Sequence, residues 1–105
     1  MQARKFLEDL RQRVPAESLA EYSGKIAFDL AGEQGGQYTL VISESGVIID
    51  DGLHDDALCG LQSSFETLTR IIAREENVLM AMMMGKLKVT NQGEMIKYAR
   101  ILGFM

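Results

Sequence analysis

The sequence predicts one α+β domain, in which helices cover one face of a five-stranded, mainly antiparallel sheet. Three observations predict this fold. The length of 105 residues suits one domain with one core. Apolar residues alternate through the middle of the chain, whereas they recur at helical spacing near both ends. Strands and helices are therefore grouped along the chain, and such grouping is typical of α+β proteins.

The N-terminal segment is predicted to form an amphipathic helix over residues 3–14. Its apolar residues fall on one helical face: Ala3, Phe6, Leu7, Leu10 and Val14. Pro15 ends this helix because proline lacks the backbone N–H and clashes with the preceding turn. A short helical turn is expected around residues 16–22.

The middle of the chain reads as strands. In 24–30, Ile26, Phe28 and Leu30 alternate with more polar or smaller residues, which is the pattern of a half-buried strand. Further strands are predicted at 37–43, 47–50 and 57–63. Because the first three are joined by short connections, we expect them to form an antiparallel meander.

Three helices and one strand are predicted in the last 42 residues. Ser63 and Glu66 have the spacing of a capping box, so a helix is expected from 64 to about 75. Asn77 is suited to cap a second helix, 78–84, which Gly85 would end. A fifth strand, 86–90, and a last helix, 93–102, complete the prediction.

Composition and charge exclude some functions. The formal net charge of −4 argues against nucleic-acid binding, which needs clustered Lys and Arg. No stretch approaches the roughly 20 apolar residues that span a bilayer, and the first residues do not read as a secretory signal. Cys59 is the only cysteine, which suits a reducing compartment. We therefore expect a cytoplasmic protein.

The most informative segment is the predicted second helix. Every residue of 78–84 is apolar, and four of the seven methionines of the chain lie there. A helix with no polar face is either buried all round or borders an apolar space. Methionine suits both cases, because its unbranched side chain adapts to irregular apolar shapes. In so small a domain, we expect part of this surface to meet a ligand, another subunit or a membrane.

From Ala57 onward, the sequence resembles the second half of the sterol-carrier-protein domains. The resemblance rests on a Ser-initiated helix at Ser64–Ile72, an apolar helix at Leu79–Met84, and the strand motif Gly85-Lys86-Leu87-Lys88-Val89. The segment GKIAFDLAG and the meander glycines extend the resemblance to a single domain over residues 1–105. After the motif, the family usually shows Gly-Asp where this chain has Asn91-Gln92, so we expect Gly93 to shape that turn.

The resemblance implies that the domain binds and carries or presents a lipid-like ligand in a tunnel between sheet and helices. The ligand would be a fatty acyl chain, a sterol-like molecule or an isoprenoid. The tunnel lining implied by the family is Phe65, Leu68, Ile72, Leu79, Met80, Met83, Met84, Ile101 and Phe104.

The polar residues predict no enzyme. The acidic segment Asp50–Asp56 contains His54 but has neither the spacing of a calcium loop nor a zinc-protease motif. Cys59 lies in an apolar run and is expected to be a buried structural thiol. We therefore expect no catalytic residue, no metal site and no cofactor.

A second hypothesis remains open, in which the domain is an interaction module. The methionine-rich helix and the C-terminal residues would then form a homodimer interface or dock onto an enzyme of lipid or quinone synthesis. Transient contact with a membrane is a related alternative. The segment 85–105 carries a net charge of +3 against −7 for residues 1–84, which would suit an anionic surface.

Overall fold

A computed structural model describes residues 2–102 and shows the predicted α+β fold. Along the chain the elements are α1 (Gln2–Arg11), a 3₁₀ turn (Ala16–Ser18), β1 (Gly24–Ala31), β2 (Gly36–Ser43), β3 (Gly46–Asp51), β4 (Cys59–Ser64), α2 (Phe65–Ile72), α3 (Val78–Met83), β5 (Leu87–Thr90) and α4 (Gln92–Leu102). All five strands belong to one sheet.

The strand order across the sheet is β3-β2-β1-β4-β5. The pairs β1–β2, β2–β3 and β4–β5 are antiparallel, whereas β1 and β4 run parallel. The parallel pair is possible because the chain passes through the β2–β3 hairpin and a long connection before it returns beside β1. The prediction of a mainly antiparallel sheet is confirmed.

The core lies on one face of the sheet. Ile26 stands opposite Leu40 on β2 and opposite Cys59 on β4, and all three are buried. Helix α1 packs on β2 and β3, α2 on β4, α3 on β5, and α4 on β4 and β5. The period-two alternation of the strands therefore determines which side chains meet the helices.

Two helix boundaries follow the predicted caps and one differs. Asn77 accepts hydrogen bonds from the N–H groups of Leu79 and Met80, and Gly85 follows α3 with φ +78°. The cap of α2, however, is Ser64, which accepts from the N–H of Thr67. The prediction of Ser63 as the cap was wrong because Ser63 still pairs with Leu87 on β5, and its buried hydroxyl donates to the Ser64 carbonyl oxygen at 2.9 Å instead of accepting from the helix.

The turn after β5 also differs from the prediction. Asn91, not Gly93, takes the left-handed conformation, with φ +53°, and Gly93 lies within α4. Asparagine tolerates this conformation better than most residues. Its side-chain amide also donates to the Leu58 carbonyl oxygen at 3.1 Å, which ties the turn to the start of β4.

Candidate ligand-binding site

Helix α3 consists entirely of apolar residues, yet half of its side chains are exposed. Only Ala81 is fully buried, and Val78 and Met82 are half-buried against the core. The exposed fractions are 50% for Leu79, 52% for Met80, 81% for Met83 and 62% for Met84. The sheet can cover only one side of a helix, so the other side of an all-apolar helix must remain open.

A narrow crevice lies behind α3, between this helix, β5 and α4. Its volume is about 20 Å³, which is room for about one water molecule. Apolar side chains form its walls except at Gln92: Val78, Leu79, Met82, Val89, Met95, Ile96 and Ala99. An acyl chain does not fit this space, because sites for small molecules usually measure some hundreds of Å³.

The residues implied by the family resemblance are spread over several environments. On α2, Leu68 is fully buried in the core, Ile72 is half-buried, and Phe65 packs edge-on against Phe6 with 5.5 Å between ring centroids. Ile101 is half-buried on α4, and Phe104 lies outside the described residues. Of the predicted lining residues that lie within 2–102, only Leu79 borders the crevice.

The sequence reasoning missed most of the crevice walls. Val78 and Met82 share one face of α3 at a spacing of four, and Gln92 and Ile96 do the same on α4. This shared spacing was a usable signal, but only the packing of α3 and α4 on β5 shows that the two faces meet.

The acidic segment serves the structure of the β3–β4 connection. The Lys25 ammonium donates to Asp56 at 2.8 Å and holds the pKa of that carboxyl below its usual range. His54 lies 3.3 Å from Asp50, and the buried Thr39 hydroxyl donates to the Gly52 carbonyl oxygen at 2.8 Å. Among residues 2–102, no cluster of His, Cys, Asp and Glu side chains could hold a metal ion.

Two buried groups have raised pKa values. Burial raises the pKa of the Cys59 thiol to about 11, and burial also raises the pKa of the Tyr98 phenol to about 12. The Tyr98 hydroxyl donates to the carbonyl oxygens of Tyr22 and Ser23, at 3.1 and 3.3 Å. Cys59 is thus a protonated core thiol at neutral pH, and Tyr98 ties α4 to the segment before β1.

The sequence matches a known protein family. Residues 5–101 match the SCP-2 sterol transfer family. The chain belongs to this family. Membership confirms the resemblance seen in the sequence and implies lipid binding or transfer. A comparison with curated proteins found no match.

Solved structures of the family share the fold. The sterol carrier protein domain 2 of Helicoverpa armigera superimposes with a TM-score of 0.76 at 18% identity, covering 96% of this chain and 87% of that one. Palmitated SCP2L2 from Aedes aegypti gives a TM-score of 0.67 at 14% identity, with coverages of 97% and 95%.

The same fold also occurs inside a larger enzyme. The sec-alkylsulfatase Pisa1 from Pseudomonas sp. matches with a TM-score of 0.78 at 14% identity over 91% of this chain. The chain spans only 15% of that enzyme.

Between Gln2 and Leu102, none of the helices has the length and hydropathy of a membrane span.

Proposed function

We propose that this domain binds a lipid-like apolar ligand beneath α3 and carries or presents it. The ligand would be a fatty acyl chain, a sterol-like molecule or an isoprenoid. The observation that supports this proposal is the placement of α3, which with its C-cap residue Met84 holds four exposed large apolar side chains beside a crevice with almost wholly apolar walls.

Binding requires α3 to move, because the crevice is too small for an acyl chain. The attachment of α3 favours such a movement. Ala81 is its only fully buried side chain, and the residues beyond its two ends, Arg74 and Gly85, both have left-handed φ angles. When α3 swings away from β5, Met80, Met83 and Met84 can fold inward around a ligand, since their flexible side chains adapt to its shape.

The driving force is the removal of apolar surface from water. Each buried methylene contributes roughly 0.8 kcal/mol, so about ten contribute about 8 kcal/mol before the costs of association. The cost of displacing α3 and ordering the ligand reduces this figure, and we expect dissociation constants in the micromolar range. The palmitated state of the Aedes aegypti relative supports an acyl chain as one ligand.

We also propose that the domain acts without catalysis, in the cytoplasm. Cys59 is buried with a pKa raised to about 11, and His54 lies beside the carboxylate of Asp50. A buried, protonated thiol is not the activated nucleophile that acyl or group transfer would need.

Native mass spectrometry of the gently purified protein, followed by titration with a fluorescent fatty acid, tests the proposal. The substitution Met83→Gln should weaken uptake about fivefold or more, because a buried amide has no partner among methylenes. Ile48→Gln is the matched control, since Ile48 is also exposed (57%) but lies on β3. The proposal fails if the wild type takes up no lipid, or if both variants bind as the wild type does.

The exposed face of α3 equally supports the second hypothesis, an interface with another copy or with an enzyme. The occurrence of this fold within the alkylsulfatase is consistent with a role beside a catalytic domain. Native mass spectrometry separates the two functions. A ligand-free dimer that resists dilution and dissociates on Met83→Gln favours the interface, whereas a lipid on a monomer favours carriage.

A further inference from the structure

Helix α3 is attached to the rest of the domain through two residues with left-handed backbone angles. Arg74 lies before the helix with φ +66°, and Gly85 follows it with φ +78°. Arginine seldom adopts this conformation, because it costs free energy for a residue with a Cβ atom. Hinges are a few residues at the ends of an element that absorb large changes of φ and ψ. These two residues are therefore suited to be the hinges of α3, with residues 75–84 as the moving part.

One ion pair joins the moving part to the fixed part of the domain. The Lys86 ammonium donates a hydrogen bond to Oε1 of Glu76 at 2.8 Å. Glu76 lies between the first hinge and α3, whereas Lys86 lies beyond the second hinge, directly before β5. Among residues 2–102, no other side-chain hydrogen bond or ion pair connects 75–84 with the rest of the domain. A turn of α3 about its hinges draws Glu76 away from Lys86.

The two partners of this ion pair differ in burial. The side chain of Glu76 is 15% exposed and that of Lys86 is 41% exposed. The Oε2 atom of Glu76 has almost no surface that a water molecule can reach, and it has no hydrogen-bond partner among the described residues. Opening of α3 would expose this oxygen to water, so the unsatisfied oxygen favours the open position. The attraction of Lys86 for the buried carboxylate favours the closed position seen in the structure.

We propose that the ion pair of Glu76 and Lys86, hereafter the latch, holds α3 over the crevice in the free protein and breaks when a ligand enters. The inference rests on the proposed movement of α3 during lipid binding and names what controls that movement. Because the latch exists only in the closed position, it lowers the apparent affinity by lowering the fraction of molecules that are open.

Lys86→Gln tests the latch most directly, since it leaves the buried carboxylate of Glu76 without its cation. Removal of one partner of a buried pair strongly disfavours the state in which the other charge stays buried. The closed position is therefore disfavoured, and we expect a fluorescent fatty acid to bind about tenfold more tightly than to the wild type. The direction of the change is informative, because substitution of a residue that contacts the ligand weakens binding instead.

Lys25→Gln is the matched control for this variant. Lys25 forms an ion pair of the same 2.8 Å length with Asp56, but this pair joins β1 to the β3–β4 connection and does not involve α3. The same change of residue type at this position should leave the affinity for the fatty acid within about twofold of the wild type. Tighter binding in both variants would overturn the latch.

The double substitution of Glu76→Gln with Lys86→Gln tests the role of the buried charge. Two neutral amides then replace the two charges, so no buried charge lacks a partner, and the affinity should return to within about threefold of the wild type. Glu76→Gln alone should tighten binding less than Lys86→Gln does, because Lys86 is exposed enough for water to solvate it. A double variant that binds as tightly as Lys86→Gln alone would contradict the proposal.

Hydrogen exchange of the ligand-free protein measures the opening of α3 itself. At the hinges, the N–H of Glu75 donates to the Arg70 carbonyl oxygen, and the N–H of residue 86 donates to that of Ala81. In Lys86→Gln, these N–H groups should exchange about tenfold faster, whereas those of β1 should exchange as in the wild type, because only α3 opens. Equal acceleration in both segments indicates global destabilisation and overturns the latch, as does unchanged exchange at the hinges.

The outcomes separate this inference from the proposed function. Faster exchange at the hinges of Lys86→Gln, without uptake of the fatty acid by any variant, supports the latch and refutes lipid binding. Uptake by the wild type, with an unchanged or weakened affinity in Lys86→Gln, leaves lipid binding intact and overturns the latch.

Discussion

The half of the domain built from α1 and β1–β3 differs sharply from α3 in how it uses apolar residues. In the first region Leu7, Leu10, Ile26, Phe28 and Leu40 are all fully or almost fully buried. In α3, by contrast, every residue is apolar and only Ala81 is fully buried. Both regions are rich in hydrophobic side chains, but the first buries most of its large ones in the core, whereas α3 places only Ala81 fully there.

This difference indicates where stability and function reside. Burial in the core, to which α1 and β1–β3 contribute side chains such as Leu7, Phe28 and Leu40, supplies free energy that stabilises the fold. The apolar surface of α3 remains in water, which is unfavourable in the free protein and becomes favourable when a ligand or partner covers it. Substitutions in the two regions should therefore separate stability from binding.

Phe28→Ala should produce the largest effect, because it removes a fully buried ring between β1 and the helices. We expect a loss of about 3–5 kcal/mol in the free energy of unfolding. Urea denaturation followed by circular dichroism measures it. Leu79→Ala, on the half-exposed side of α3, should cost no more than about 0.5 kcal/mol. Equal losses in the two variants would contradict the distinction between the regions.

Tyr98→Phe should have the next largest effect, a loss of about 1–3 kcal/mol in the free energy of unfolding. The substitution removes the hydroxyl that donates hydrogen bonds to the carbonyl oxygens of Tyr22 and Ser23, and it leaves both oxygens without that donor. The same urea titration measures the change. An unchanged midpoint would mean that water replaces the hydroxyl at no cost.

The pH dependence of stability sharpens this prediction. The folded-state pKa values of Cys59 and Tyr98 are raised to about 11 and about 12, from ordinary values of 9.0 and 10.0. Folding therefore favours their protonated forms. The stability linked to these groups is fully present below pH 9 and is lost as the pH rises towards 12. Tyr98→Phe should flatten the upper part of this decline, and a stability that stays constant from pH 9 to 11 would contradict it.

Asn77→Ala should destabilise the protein by about 1 kcal/mol, since it removes the acceptor for two N–H groups at the start of α3. Thermal unfolding measures the loss. Because α3 contributes little to the core, we expect a clear loss of lipid uptake but only a small fall in the melting temperature. A large fall in melting temperature would show that α3 supports the fold more than its burial indicates.

Met83→Gln should have the smallest effect on stability, within about 0.5 kcal/mol, because this side chain is the most exposed of the large apolar residues described. Its effect on lipid uptake should nevertheless be clear. Chemical denaturation and a binding titration on the same sample compare the two. A strongly destabilised variant would place Met83 in the core rather than on a binding face.

Local patterns predicted most of the secondary structure but not every boundary. The alternation of Ile26, Phe28 and Leu30 correctly indicated both the strand and its buried face. Ser63 and Ser64 are adjacent candidates for one cap, and the choice between them depends on where β4 stops pairing with β5. The turn at Asn91 depends likewise on its side-chain bond to Leu58, a residue 33 positions away.

The sequence by itself determined the α+β class, the family and the presence of one helix with no polar face, because these follow from periodicity and motif. Only the tertiary structure decided which side of that helix lies against β5, how nearly the space behind it closes, and that Glu76 is left with a buried oxygen beside it. These features arise where residues distant in sequence come into contact, and such contacts cannot be predicted from the spacing of residues along one segment.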